Sequence, residues 1–156
     1  MSEKSESSYK VVSDNRQARY QYEILETYEA GLQLVGTEVK SIREGKANLQ
    51  DGYALIRAGE AWLINVHISP YTGSGSYFNH EPRRNRKLLL HRQEIRKLIG
   101  KVEQQGLTLV ALKMYLKKGL VKVSIGLCKG KKLHDKREDL KRRQDRRDIE
   151  RAMKNY

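Results

Sequence analysis

The chain has one cysteine, two prolines, one tryptophan and one phenylalanine among its 156 residues. A lone thiol, Cys128, forms no internal disulfide, so a disulfide-stapled scaffold is excluded and a reducing, cytoplasmic setting is expected. Its simplest role is filler at the end of a strand. No apolar run approaches the roughly 20 residues that span a bilayer. The opening residues, MSEKSESSYK, lack the apolar segment of a signal peptide, so no membrane partner is expected. No Cys/His cluster has the spacing of a zinc site, and no metal or other cofactor is expected. Acids are short as well. Nineteen Asp and Glu stand against 32 Lys and Arg, for a formal net charge of +13.

That excess is spread along the chain. Residues 131–156 hold eleven cations and six acids, a balance of +5, which leaves +8 for the rest. A field of this sign over the whole molecule concentrates polyanions around it, and nucleic acid is the natural candidate. The length fits one domain.

Residues 1–14 are polar and rich in Ser, Glu and Lys and read as a flexible leader. From Tyr20 a period of two begins, with Tyr20, Tyr22 and Ile24 on one face and Gln21, Glu23 and Thr27 on the other, which predicts a half-buried strand. Glu29-Ala30-Gly31 reads as a turn into a second strand, 32–39, and residues 41–46 as a short helical turn. Runs 53–57 and 61–69 form a hairpin about Ala58-Gly59-Glu60. A Gly/Ser-rich loop, 72–86, leads to a short strand at 87–90. Ile95, Leu98, Ile99 and Val102, at i, i+3, i+4 and i+7, predict an amphipathic helix over 92–104, capped by Gly106. Runs 107–116 and 120–127 close the core as a hairpin about Lys118-Gly119.

Six to seven short strands with one amphipathic helix predict a mainly β fold, an OB-like Greek-key barrel over residues 15–130, with a split α+β sheet as the alternative. Residues 131–156 do not behave as a core helix. At about 100° per residue, Leu133 and Leu140 share one side while Ile149, Met153 and Tyr156 fall on the other, so no continuous apolar seam runs the length of the tail. The expectation is a basic C-terminal tail that is disordered when free and becomes helical when bound. The competing reading is a solvated helix packed by Leu133 and Leu140 alone.

GTEVKSIREGKANLQDGYALI (36–56), GEAWLINVHISPY (59–71), RKLLLH (86–91) and IGLCKGKKLHDKRE (125–138) together resemble the SmpB family, the SsrA-binding proteins, over nearly all of residues 15–140. The resemblance implies an OB-type barrel and a basic tail. It also implies binding to the tRNA-like domain of transfer-messenger RNA, delivery of that RNA to stalled ribosomes for trans-translation, and entry of the tail into the empty mRNA channel by the decoding centre. A channel walled by small-subunit ribosomal RNA favours a cationic chain, since Lys and Arg displace counterions from phosphates. The chain is expected to act as a monomer and not as an enzyme.

The same resemblance assigns residues. Toward the tRNA-like domain it places Glu29, Lys40, Lys46, Asn48, Arg83, Arg84, Arg86, Lys87, Leu89, His91, Gly130, Lys131 and Lys132. A carboxylate such as Glu29 does not attract phosphate but accepts hydrogen bonds from base amino groups or a 2′-OH. Where the family often carries Asn, this chain has His91. Arg83, Arg84, Arg86, Lys87 and Arg92 read as a phosphate-binding run without an acid among them, and Tyr71, Tyr77 and Phe78 as stacking candidates. Toward the ribosome stand His134, Asp135, Lys136, Arg137, Lys141, Arg142, Arg143, Arg147 and Met153, with Ala152 replacing a larger family aliphatic.

Two rival classes share part of this pattern. A ribonuclease built on His134, Asp135 and a nearby Lys would need a rigid site, which a tail does not provide. A generic basic barrel, such as a ribosomal protein, would share the charge but not GKKxHDKR.

Overall fold

The computed structural model describes residues 9–73, 79–130 and 141–147. Nine strands and three helices make up its main body. They run β1 (Tyr9–Asp14), α1 (Arg16–Gln21), β2 (Tyr22–Leu32), α2 (Gly36–Arg43), β3 (Ala47–Asn48), β4 (Tyr53–Arg57), β5 (Glu60–Ile64), β6 (His67–Ile68), β7 (Arg86–Leu89), α3 (Arg92–Gln105), β8 (Thr108–Lys117) and β9 (Leu120–Gly130).

The large antiparallel sheet has seven strands in the order β1-β8-β4-β5-β7-β2-β9, and β9 also pairs with β8. Six of them, β8-β4-β5-β7-β2-β9, therefore return to their starting point, which removes the exposed edges that an open sheet would present. β1 lies alongside β8, and β3 and β6 pair separately. Alternation sends Ala30, Leu63, Leu88, Leu109, Met114, Val123, Ile125 and Leu127 inward, where Ile42 of α2, Leu49, Ile68 and Leu98 of α3 meet them. Burial of each large aliphatic contributes about 1.5–3 kcal/mol.

Several expectations are met. The hairpins turn at Ala58-Gly59 and Lys118-Gly119, all four at positive φ, as a two-residue type I′ connection requires. α3 covers Arg92–Gln105 and stops at Gly106 in the left-handed region, φ 62. Cys128 is fully buried in β9.

Others are corrected. Residues 9–14 are not part of a flexible leader, since β1 pairs with β8 over them. Glu29-Ala30-Gly31 is not a turn; it lies inside the eleven-residue β2, paired with β9 from Tyr22 to Gly31. Residues 36–43 form a helix rather than the second half of a 32–39 strand, and from it the Glu38 carboxylate reaches Arg84 and Arg86 inside the protein. Tyr20 and Gln21 belong to α1, whose cap is Asn15: its Oδ1 accepts from the Ala18 N–H at 3.3 Å while its Nδ2 donates to the Ala111 carbonyl at 2.9 Å. Within the tail, residues 141–147 are helical with every residue exposed, where no structure was expected in the free chain.

Candidate RNA-binding surface

Antiparallel residues directly opposite one another share a sheet face, and the register builds one such face explicitly. Leu89 of β7 faces Gly31 of β2, Gly31 faces Lys122 of β9, and Lys122 faces Tyr115 of β8. Two residues along each strand, on the same face, Glu29 faces Ser124 and Ser124 faces Lys113. The outer wall of four adjacent strands thus carries Lys87, Leu89, Glu29, Lys122, Ser124, Lys113 and Tyr115. Leu89 is 52% exposed and leans over Gly31, where an added Cβ would stand 3.3 Å from the Leu89 Cβ. Glycine at 31 therefore lets an apolar side chain lie flat on the sheet surface without being buried in it.

Glu29 is held in place. The Tyr115 hydroxyl donates to its Oε2, and the Lys117 ammonium stands 3.6 Å from the same oxygen. The Tyr115 hydrogen bond, reinforced by Lys117 and Lys122, holds the Glu29 carboxyl below its ordinary value, so it is an anion and an acceptor at neutral pH. Burial and the Glu29 charge push the Tyr115 phenol upward, and its ring packs on Tyr9 with centroids 4.9 Å apart. His91, exposed, caps α3, its N–H donating to Glu94 at 3.2 Å. Lys87 shares this wall and reaches Glu60 at 3.2 Å.

The cationic run behaves differently from its sequence reading. Glu38, wholly buried, receives Arg86 through Nε and Arg84 through Nη2, together with the Val35 N–H at 3.0 Å. Arg86 is 0% exposed and spends its remaining donors on the Val66 carbonyl at 2.7 Å and the Pro82 carbonyl at 3.0 Å. It is removed from the phosphate-contacting set, since a guanidinium enclosed by its own chain meets no RNA. Arg84 is half-buried beside it. The acid that compensates this run lies 46 and 48 residues away in sequence, so inspection of 83–92 alone missed it. Arg83 is exposed, with Nη1 donating to Asn65 at 2.8 Å.

Lys40 on α2, Lys46 in the turn after it and Asn48 on β3 are exposed but sit apart from the Glu29 wall. Lys40 lies over the Tyr71 ring at 5.3 Å, and Asn79 clamps the Tyr71 backbone at 2.8 and 2.9 Å. His80 is structural: it bridges the Thr37 hydroxyl at 2.9 Å and the Ile68 carbonyl at 2.8 Å. Gly130 ends β9 opposite Tyr22. Lys141, Arg142, Arg143 and Arg147 are exposed on the 141–147 helix. Tyr77, Phe78, Lys131, Lys132, His134, Asp135, Lys136, Arg137, Ala152 and Met153 lie outside the described residues. The sequence reading overlooked Lys113, Tyr115, Lys117 and Lys122, although period-two alternation through β8 and β9 marks them as one polar face.

The family model described as SmpB protein matches residues 12–155. The chain belongs to the SmpB family. SsrA-binding proteins from Nostoc punctiforme and Trichormus variabilis are 81% and 83% identical to it, each over 100% of both chains. A chain from the solved structure described as "tmRNA-SmpB: a journey to the center of the bacterial ribosome" is 57% identical, with a TM-score of 0.64, covering 77% of this chain and 84% of that one. Membership gives the barrel wall a family context. Among the described residues of this SmpB-family chain, no helix is long and apolar enough to cross a membrane, and no group of three or more His, Cys, Asp or Glu is placed to hold a metal ion.

Proposed function

We propose that this chain binds the tRNA-like domain of transfer-messenger RNA and delivers it to stalled ribosomes for trans-translation. The observation that carries this reading is the end-to-end likeness, above 80% identity, to SsrA-binding proteins. The wall of β7, β2, β9 and β8 is proposed as the RNA-facing surface. Glu29 is an oriented acceptor for base amino groups or 2′-OH groups, Leu89 is an apolar contact for a base or sugar, and Lys87, Lys113 and Lys122 neutralise phosphates. Lys40, Lys46, Asn48 and Arg83 extend the basic field on the α2 side. The tail, from Lys131 onward, is proposed to enter the mRNA channel, with His134, Asp135, Lys136 and Arg137 beside the decoding centre.

Competition between a tRNA-like hairpin and bulk RNA at physiological salt tests this reading. Preference for the hairpin supports it, and equal affinity favours a generic basic barrel. Deleting residues 131–156 is expected to leave hairpin binding nearly intact and to abolish rescue of stalled ribosomes. Loss of hairpin binding in that truncation would place the RNA contact in the tail instead.

A further inference from the structure

The barrel is incomplete on one side. β4 keeps two pairs with β8, Tyr53 with Val110 and Ala54 with Leu109, and β8 pairs no farther along it. Arg57 and Glu60 flank the two-residue turn of the β4–β5 hairpin. They are its closing hydrogen-bonded pair, and bonding to β5 recurs at every second residue from there. Ile56 lies between such residues, so its N–H and C=O turn away from β5, toward the side that β8 has left. That side is a groove of about 630 Å³ between α1, β4 and the C-terminal end of α3, with Ile56, Ile99, Val102 and Leu107 among its walls. Tyr53, also in the wall, is 43% exposed. An open apolar groove of this kind marks a contact surface.

The groove differs in charge from the rest of the molecule. Lys and Arg make up 32 of the chain's 156 residues, yet none lines the groove, whereas Asp51 and Glu103 do. Both acids are exposed, and neither has an ion-pair partner among the described residues. α3 ends at the groove with no basic residue in its last turn, so the partial negative charge of a helix C-terminus adds to theirs. Such a surface repels phosphate. It also shares no residue with the proposed RNA wall of Lys87, Leu89, Glu29, Lys122 and Tyr115.

We propose that this groove docks an extended segment of a partner protein, one whose apolar residues alternate with Lys or Arg. Laid beside β4, such a segment exchanges main-chain hydrogen bonds with Ile56, which is strand addition at an open sheet edge. The residue directly opposite Ile56 shares its face, and Ile56 packs toward the core. The bonded residue of the segment is therefore an apolar one, set toward Ile99 and Val102. The alternate cations meet Asp51, Glu103 and the end of α3, a complementarity that excludes an acidic segment and a nucleic acid alike. The contact is with protein and stands whichever RNA the chain binds.

A heptapeptide alternating lysine with valine and isoleucine, titrated into the isotope-labelled full-length protein, tests it. Saturable amide shifts centred on Ile56, Ile99 and Val102 are expected below about 1 mM peptide. Affinity should fall roughly tenfold or more when the peptide's apolar residues are N-methylated, and again when its lysines are replaced by glutamates. Glu103→Lys with Asp51→Asn should weaken the lysine peptide to the same degree; Asn tolerates the left-handed φ of 65 at position 51. No saturable shift, or full affinity in any of these three arms, would overturn the proposal. Movement of the same amides on dilution without peptide would assign the groove to a second copy, and competition by the tRNA-like hairpin would assign it to RNA. Binding only after residues 131–156 are removed would assign it to the chain's own tail. Each of those results overturns the proposal as well.

Discussion

Glu38 and Arg86 meet wholly inside the protein, each at 0% exposure, and the pair ties α2 to β7. Enclosing two charges costs several kcal/mol apiece, and it is tolerated only because every charged atom finds a partner. Removing one member leaves the other buried and uncompensated. Arg86→Ala or Glu38→Ala is expected to cost about 3–5 kcal/mol, read by urea unfolding with the fluorescence of Trp62, the sole tryptophan. The double change Glu38→Leu with Arg86→Met should recover about half of that loss, the rest reflecting Arg84 and the Val35 N–H left without their acceptor and the Val66 and Pro82 carbonyls left without donors. A single-mutant cost below about 1 kcal/mol would show that water reaches the pair.

The same pair sets an acid limb. Burial alone would raise the Glu38 carboxyl, but donation from Arg84, the Val35 N–H and Arg86 outweighs it and holds the group below the ordinary 4.5. A depressed folded value contributes stability that is fully present above the unfolded value and lost as pH falls through the folded one. Stability should therefore decline below pH 4.5 more steeply in the parent than in Glu38→Gln, which has no proton to take up there. Parallel acid limbs in urea titrations at several pH values would count against this account.

Tyr115 is expected to position Glu29. Tyr115→Phe keeps the ring against Tyr9 and removes only the donor that fixes the carboxylate. Affinity for the tRNA-like hairpin should fall by roughly tenfold, about 1.4 kcal/mol, while the unfolding midpoint moves little. Combined with Glu29→Gln, the two losses should fall well short of adding. Additive losses in gel shifts would mean that Tyr115 acts on RNA independently of Glu29.

Ala58 and Lys118 occupy left-handed positions, φ 52 each, which residues with a Cβ adopt at a cost. Both are the first of two turn residues in type I′ connections that favour Asn or Gly. Ala58→Gly and Lys118→Asn should each stabilise by about 0.5–1 kcal/mol in urea unfolding. No gain would indicate that the strands, not the turns, absorb the strain.

Those hairpins and α3 were readable because local rules and tertiary demands agree: a two-residue Gly turn, a 3.6-residue stripe and a Gly cap each carry their own signal. Residues 32–43 were not. LQLVGTEV (32–39) alternates like a strand, yet a helix begins at Gly36, and the two arginines that Glu38 meets from it lie more than 40 residues away. β1 escaped notice because it lies at the margin of the sheet, with Tyr9 and Val11 left 44% and 42% exposed, so YKVVSD shows little burial pattern. Glu29 and Leu89 were picked out as RNA contacts through family likeness. What seats them on one wall is the Leu89–Gly31–Lys122–Tyr115 register, a non-local fact that no single segment contains.

That register also separates cations by what they can do. Lys87 and Lys122 project from the wall that carries Glu29, while Arg86, next in sequence to Lys87, points inward. Neutralising one phosphate contributes about 0.7–0.9 to the slope of log K against log salt. Lys122→Ala and Lys87→Ala should each reduce that slope by about one such step for the tRNA-like hairpin. Arg86→Lys, in the fraction that remains folded, should leave the slope where it was. An unchanged slope in both surface variants would move the RNA to another side of the barrel, and Lys40 of α2 and Lys46 of the turn that follows it would then be the next to neutralise.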